Sequence, residues 1–344
     1  MEIREKYVHT RNYGCRIRHF IRDGLRMVSI ENKLIKAVFA LDKGADILEL
    51  VYKPEDVDYM WHSFNELKNI RHQSTVAPED GNFLDSYAGG WQELFPTYGS
   101  PASLQGGRIG IHGEACLYPW ECETLEDTPE CVQLKFTLRT IRTPFVLEKT
   151  VCITEGSAVL KMRQKVTNAG AVAQEFMWGH HPAFGWPFID ENVQIKLAGE
   201  PDIAAAPGAA GISFAEPAVG KWPFLKKADG SLADMSRAYT HEDKIYMEYG
   251  ISRLTEGRYE VINEKLGLGI RMDWDLSIFP YVWVWGMYCG NENYPWFGRA
   301  YTLAVELWSS MPGDFREASL NGTTLKLKAG ESMETAVLAE LFRI

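Results

Sequence analysis

Along much of this chain apolar and polar positions alternate with a period of two. Val132, Leu134, Phe136 and Leu138 interleave with Gln133, Lys135, Thr137 and Arg139, as in a strand with one face buried and one wet. Leu160, Met162 and Val166 interleave with Lys161, Arg163 and Lys165 in the same way, and Phe176 carries the pattern toward a pair of histidines. From residue 25 to 61, short apolar runs broken at Glu31-Asn32, Gly44 and Lys53-Pro54-Glu55-Asp56 predict a β-meander, with no helical period beyond about two turns. Strands resume over 258–274, followed by the aromatic run Phe279-Pro280-Tyr281-Val282-Trp283-Val284-Trp285 and by an apolar strand holding Glu306. Near the end, Asn321-Gly322 between Leu320 and Leu325-Lys326-Leu327 predicts a hairpin with a type I′ turn.

Two stretches break the pattern. Residues 62–113 are rich in Gly, Pro, Asn and Ser yet carry Gly89-Gly90-Trp91-Gln92-Glu93-Leu94-Phe95-Pro96, and they read as loops walling a pocket. Residues 200–238, with Pro201, Pro207, Gly208 and Pro217, read as an irregular surface excursion. Repeats and heptads are absent, and no composition shift divides the chain. The simplest architecture is one all-β domain over residues 1–344, a large antiparallel two-layer β-sandwich.

Composition narrows the function. A formal net charge of -10 argues against nucleic acid, which needs clustered Lys and Arg. No run approaches the roughly 20 apolar residues of a membrane span, and the first residues lack the apolar core of a secretion signal, so a cytoplasmic location is expected. Six scattered cysteines lack the close pairs of zinc or redox motifs and read as free thiols. The 11 Trp, 15 Tyr and 16 Phe fit a carbohydrate pocket, where aromatic rings stack on sugars.

Candidate chemistry concentrates in Met177-Trp178-Gly179-His180-His181-Pro182-Ala183-Phe184-Gly185-Trp186-Pro187. A histidine before proline is held in extended backbone, so the His181 ring projects from a strand or the loop after it. Burying both His180 and His181 costs free energy unless each finds a partner. In the strand around Glu306, Leu303, Val305 and Leu307 share one face, and the carboxylate shares the other with Ala304 and Trp308. Such surroundings raise a carboxylate's pKa toward the range of a general base at neutral pH. His112 stands in Gly110-Ile111-His112-Gly113-Glu114, where glycines allow a ligand to approach closely. Three histidines and a glutamate from distant segments lack metal-ligand spacing, so a metal site is not expected.

In these segments, together with Ile30-Glu31-Asn32, Trp120, the strands from 145 to 168 and Phe279-Pro280-Tyr281, the chain resembles the aldose 1-epimerase (galactose mutarotase-like) family. The resemblance implies a β-supersandwich and an isomerase that interconverts the anomers of a small sugar by metal-free, cofactor-free acid–base ring opening. His181 resembles the acid that protonates the ring oxygen, Glu306 the base that takes the C1 hydroxyl proton, and His112 a second histidine on the sugar. The two groups should stand a sugar's width apart. The family's Asn-Arg pair is missing at Phe95-Pro96-Thr97-Tyr98-Gly99-Ser100, so Gln92 and Glu93 are expected to take over hydroxyl recognition, with Asp243 in place of a later aspartate. His180, Trp91, Tyr281 and Trp283 complete the substrate-binding candidates. The competing reading is a non-catalytic sugar sensor that uses Trp91, Trp283 and Trp285 as stacking platforms.

Overall fold

The computed structural model describes residues 11–69, 75, 77 and 82–344. Two large antiparallel sheets dominate. The first, of fourteen strands, runs from the meander Arg16–Arg22, Leu25–Glu31, Ile35–Ala40 and Asp46–Tyr52 through Trp91–Leu94, Gly179–Phe184, Tyr301–Trp308, Tyr281–Tyr288 and Ile245–Ser252. The second, of eight, is ordered Val193–Leu197, Arg258–Asn263, Leu268–Trp274, Ser332–Arg343, Val159–Asn168, Phe145–Thr154, Cys131–Arg139 and Glu121–Asp127. The last strand, Ser332–Arg343, thus pairs with Val159–Asn168 on one side and Leu268–Trp274 on the other.

The alternation in the sequence sets which side of each strand is covered. Phe145, Leu147, Val151 and Ile153 face a core shared with Val28, Ile30 and Phe39 of the first sheet, while their even-numbered neighbours are partly wet. The first sheet departs from this pattern at its centre. Gly179–Phe184 is buried at every residue and Tyr301–Trp308 at all but the first, because both faces are covered. One face packs on the shared core, the other under a second cluster containing Trp61, Phe83, Tyr87, Tyr98, Trp285, Trp296 and Trp308.

The excursion at 200–238 is more ordered than its composition predicts. Asp202–Ala205 pairs with Ile245–Ser252, and Val219–Lys221, Phe224–Lys226 and Leu232–Asp234 extend the first sheet from it. These strands are three or four residues long, too short for a period to register. The type I′ hairpin at Asn321-Gly322 does not form. The helix Phe315–Leu320 ends there instead, with Asn321 as its C-cap at φ -87° and Gly322 at φ 77°. A type I′ turn needs positive φ at both residues, whereas a helix end needs it only at the glycine after the cap. Leu325–Leu327 then pairs with Gln174–Phe176. The pocket-wall stretch also hides a sheet strand, Trp91–Leu94, which is buried throughout and so carries no polar alternation.

A polar seam crosses the core between the sheets. Lys149 of the second sheet lies 3.1 Å from Glu93 of the first, both buried, with its ammonium 4.8 Å from the centre of the Trp120 ring. Trp178 Nε1 donates to the other Glu93 oxygen at 3.0 Å. Removing one partner of such a pair strands a charge, whereas replacing both by apolar residues is often neutral. Lys149→Met is therefore expected to destabilise the fold by about 3–5 kcal/mol, and Glu93→Leu added to it to recover most of that, as read by urea denaturation.

Candidate active site

The first sheet's central strands bring the candidate residues together. Gly179 pairs with Trp308, His180 with Leu307 and Ala183 with Ala304, and this register sets His181 beside Glu306. Successive strand residues point to opposite faces, so His181 and Glu306 leave the core and enter a cleft of about 530 Å³. The same parity places Leu303, Val305 and Leu307 in the core.

His181 Nε2 lies 3.5 Å from Glu306 Oε1. Trp308 Nε1 donates to Glu306 Oε2 at 3.0 Å, which leaves Oε1 for the histidine and the cleft. His181 Nδ1 meets the Tyr87 hydroxyl at 3.3 Å. Burial pulls the imidazole down to about 4, against a hydrogen bond to its own backbone. Burial also holds Glu306 well above the usual carboxylate range; the Trp308 bond opposes the shift and the charge of Glu248 adds to it. Both groups therefore favour their neutral forms.

His112 reaches the cleft from a turn with left-handed backbone, at φ 63°. A side chain on the next residue, Gly113, would meet the Phe95 carbonyl at 2.3 Å, so only glycine fits there. The His112 ring lies 5.6 Å from that of His181 and edge-on to Phe83, and its buried Nδ1 has no hydrogen-bond partner among the described residues. Burial, then His181, holds it well below the ordinary imidazole range. The following Glu114 turns away to accept from Ile141 N, Arg142 N and Thr143 Oγ1, anchoring a hairpin. Trp283 and Trp285 line the cleft, the former stacked on Trp308 at 4.7 Å and 5°, the latter 5.7 Å from His181.

The other candidates lie elsewhere. His180 points into the sandwich, where its Nδ1 accepts from Trp91 Nε1 at 3.1 Å and its Nε2 meets Gln164 Oε1 at 2.9 Å. Trp91 is itself in the core, and Glu93 belongs to the buried seam. Gln92 shares the face of His181 but is fully buried, donating to Gly89 O and Asp46 Oδ2. Asp243 holds its own turn by accepting from Thr240, and Tyr281 packs against the aromatic cluster without lining the cleft. Glu248 and Tyr87 are among the cleft residues that the sequence does not single out. Glu248 lines the cleft and accepts from the Tyr246 hydroxyl at 2.6 Å; burial raises its carboxyl. A signal existed, since Ile245, Met247 and Tyr249 alternate with Tyr246 and Glu248. Tyr87 sits in an irregular segment, where no periodicity could flag it.

Residues 22–341 match the model of a domain of unknown function (DUF4432). No curated protein matches the chain. Among solved structures, a candidate aldose 1-epimerase from Klebsiella pneumoniae superposes with a TM-score of 0.73 at 14% identity, over 96% of this chain and 88% of that one. A candidate mutarotase from Salmonella typhimurium gives 0.65 at 16% identity over 95% and 94%, and a galactose mutarotase-like protein from Clostridium acetobutylicum 0.60 at 15% over 96% and 99%. The likeness is one of fold, a galactose mutarotase-like β-sandwich.

Burial of His180 makes stability depend on pH. Its folded pKa of about 4 lies below the ordinary 6.5, so between these values the unfolded chain binds the proton and the folded one does not. The contribution is complete above pH 6.5 and is lost as pH falls toward 4, about 3 kcal/mol in all. Urea denaturation at pH 7 and pH 4 is expected to register this loss, and His180→Gln to remove that part of the slope.

Proposed function

The chain belongs to the DUF4432 family, and from the site it carries we propose that it is a mutarotase-like isomerase, interconverting the α and β anomers of an aldose. The observation that carries this reading is the His181–Glu306 contact, 3.5 Å across, on the floor of an aromatic-walled cleft. The two groups stand closer than a sugar's width. That suits the reaction, because the ring oxygen and the C1 hydroxyl hang from the same carbon.

In the proposed cycle the Glu306 carboxylate takes the C1 hydroxyl proton, the C1 to ring-oxygen bond breaks as the carbonyl forms, and the His181 imidazolium gives its Nε2 proton to the ring oxygen. Rotation about the C1–C2 bond and the reverse transfers close the other anomer. Acid and base exchange one proton through the substrate, so the pair's total count is constant. Burial favours the neutral carboxyl and imidazole, the form that faces the open-chain aldehyde. His112, with its unpaired Nδ1, and Glu248 are the proposed hydroxyl partners, and the indoles of Trp283 and Trp285 suit the apolar faces of a sugar ring.

Proton NMR saturation transfer between anomers, across a panel of aldoses, tests the reading. Glu306→Gln and His181→Asn are each expected to lower the exchange rate by about 10²–10⁴ while sugar binding persists. Wild-type rates in either variant would remove that residue from its role. Binding without acceleration by the wild-type protein would leave a sugar-binding protein on this fold.

A further inference from the structure

The imidazole of His181 has two working ends, and the proposed cycle uses only Nε2. Among the described residues Nδ1 has one side-chain partner, the hydroxyl of Tyr87 at 3.3 Å. Which nitrogen of a neutral imidazole carries the proton is set by the bond its other nitrogen makes. For Nε2 to give its proton to the ring oxygen and take it back, the remaining proton must stay on Nδ1 throughout, and Nδ1–H then needs an acceptor. The Tyr87 oxygen stands at that place. Trp308 fixes the other half of the pair by holding Glu306 Oε2, so Oε1 and Nε2 are the atoms left to exchange a proton.

We propose that Tyr87 is a positioning residue, accepting the Nδ1–H of His181 and so fixing the imidazole in the tautomer that leaves Nε2 to carry and release the catalytic proton.

The packing of Tyr87 supports a fixed orientation. The side chain is buried, stacked on Phe83 at 4.8 Å and set edge-on to Trp61 at 5.6 Å and Trp296 at 6.2 Å. Its ring also meets that of His181 edge-on, at 5.7 Å. Burial raises its phenol well above the ordinary value, which keeps it a hydroxyl at every pH of interest. Tyr87→Phe keeps these ring contacts and removes one atom, so the variant isolates the hydrogen bond from the fold.

The kinetic part of this assignment rests on the isomerase reading, but the spectroscopic part does not. In protein labelled with ¹⁵N-histidine, long-range proton–nitrogen correlation separates the tautomers, and His181 is assigned by the signal lost in His181→Asn. Neutral wild-type His181 is expected to be protonated at Nδ1, the tautomer an unconstrained imidazole disfavours, and Tyr87→Phe to move it toward Nε2–H. Anomer exchange in that variant is expected to fall about 10- to 100-fold in kcat with KM little changed, part of what a general acid supplies. An Nε2–H tautomer in the wild type would overturn the proposal. So would an Nδ1–H tautomer unchanged in Tyr87→Phe, which would leave the histidine's own backbone as the holder. If the tautomer moves as expected but no sugar is turned over by the wild type, the Tyr87–His181 pairing stands and the isomerase reading falls.

Discussion

The site depends on one geometric constraint: a strand's neighbouring side chains leave opposite faces of the sheet. His180 and His181 are adjacent in sequence and end in different environments, one between the sheets against Gln164, the other in the cleft against Glu306. The register between Gly179–Phe184 and Tyr301–Trp308 then decides which carboxylate His181 meets. A slip of one residue would turn His181 into the core and put His180 in its place. The dense apolar packing of Leu303, Val305 and Leu307 on the core side guards against it.

Burial does the electrostatic work around that register. His112 and His181 are held below their ordinary range and Glu306 and Glu248 above theirs, each chiefly by loss of water. A cleft floor whose imidazoles and Glu306 and Glu248 carboxyls lean toward neutrality lets a proton pass between a carboxyl and an imidazole without a large change in solvation. The opposite solution appears on the core side of the same sheet. Glu93 and Lys149 satisfy one another in the core, with Trp178 and Trp120 around them.

What the sequence made legible follows from length and periodicity. The long strands Cys131–Arg139, Phe145–Thr154 and Val159–Asn168 announce themselves by alternation, because one face is wet. Glu306 could be placed on its face because Leu303, Val305 and Leu307 alternate with it, although both faces of that strand are covered. The pair His180-His181 could not be divided, since a strand buried on both sides offers no polar half to fix its parity. Gln92 and Glu93, expected in a pocket wall as partners of sugar hydroxyls, belong instead to Trp91–Leu94, an interior strand whose polar side chains bond to Asp46 and Lys149, far away in sequence. Tyr87 lies in a loop, where only three-dimensional packing reveals what it touches. Asn321-Gly322 misled because the same dipeptide serves a hairpin turn and a helix end, and only the preceding residues, Phe315–Leu320, decide between them.

The position of Ser332–Arg343 has a kinetic consequence. This last strand lies inside the eight-stranded sheet, joining Leu268–Trp274 to Val159–Asn168. Until it is synthesised, that sheet exists as two separate ribbons, each with an open edge of unpaired backbone groups. Its pairing with Val159–Asn168 also closes a loop of well over a hundred residues, and such non-local contacts are slow to form. Before Ser332–Arg343 docks, the folding chain carries two open strand edges, at Leu268–Trp274 and Val159–Asn168, and those edges are the places where intermolecular pairing competes with folding.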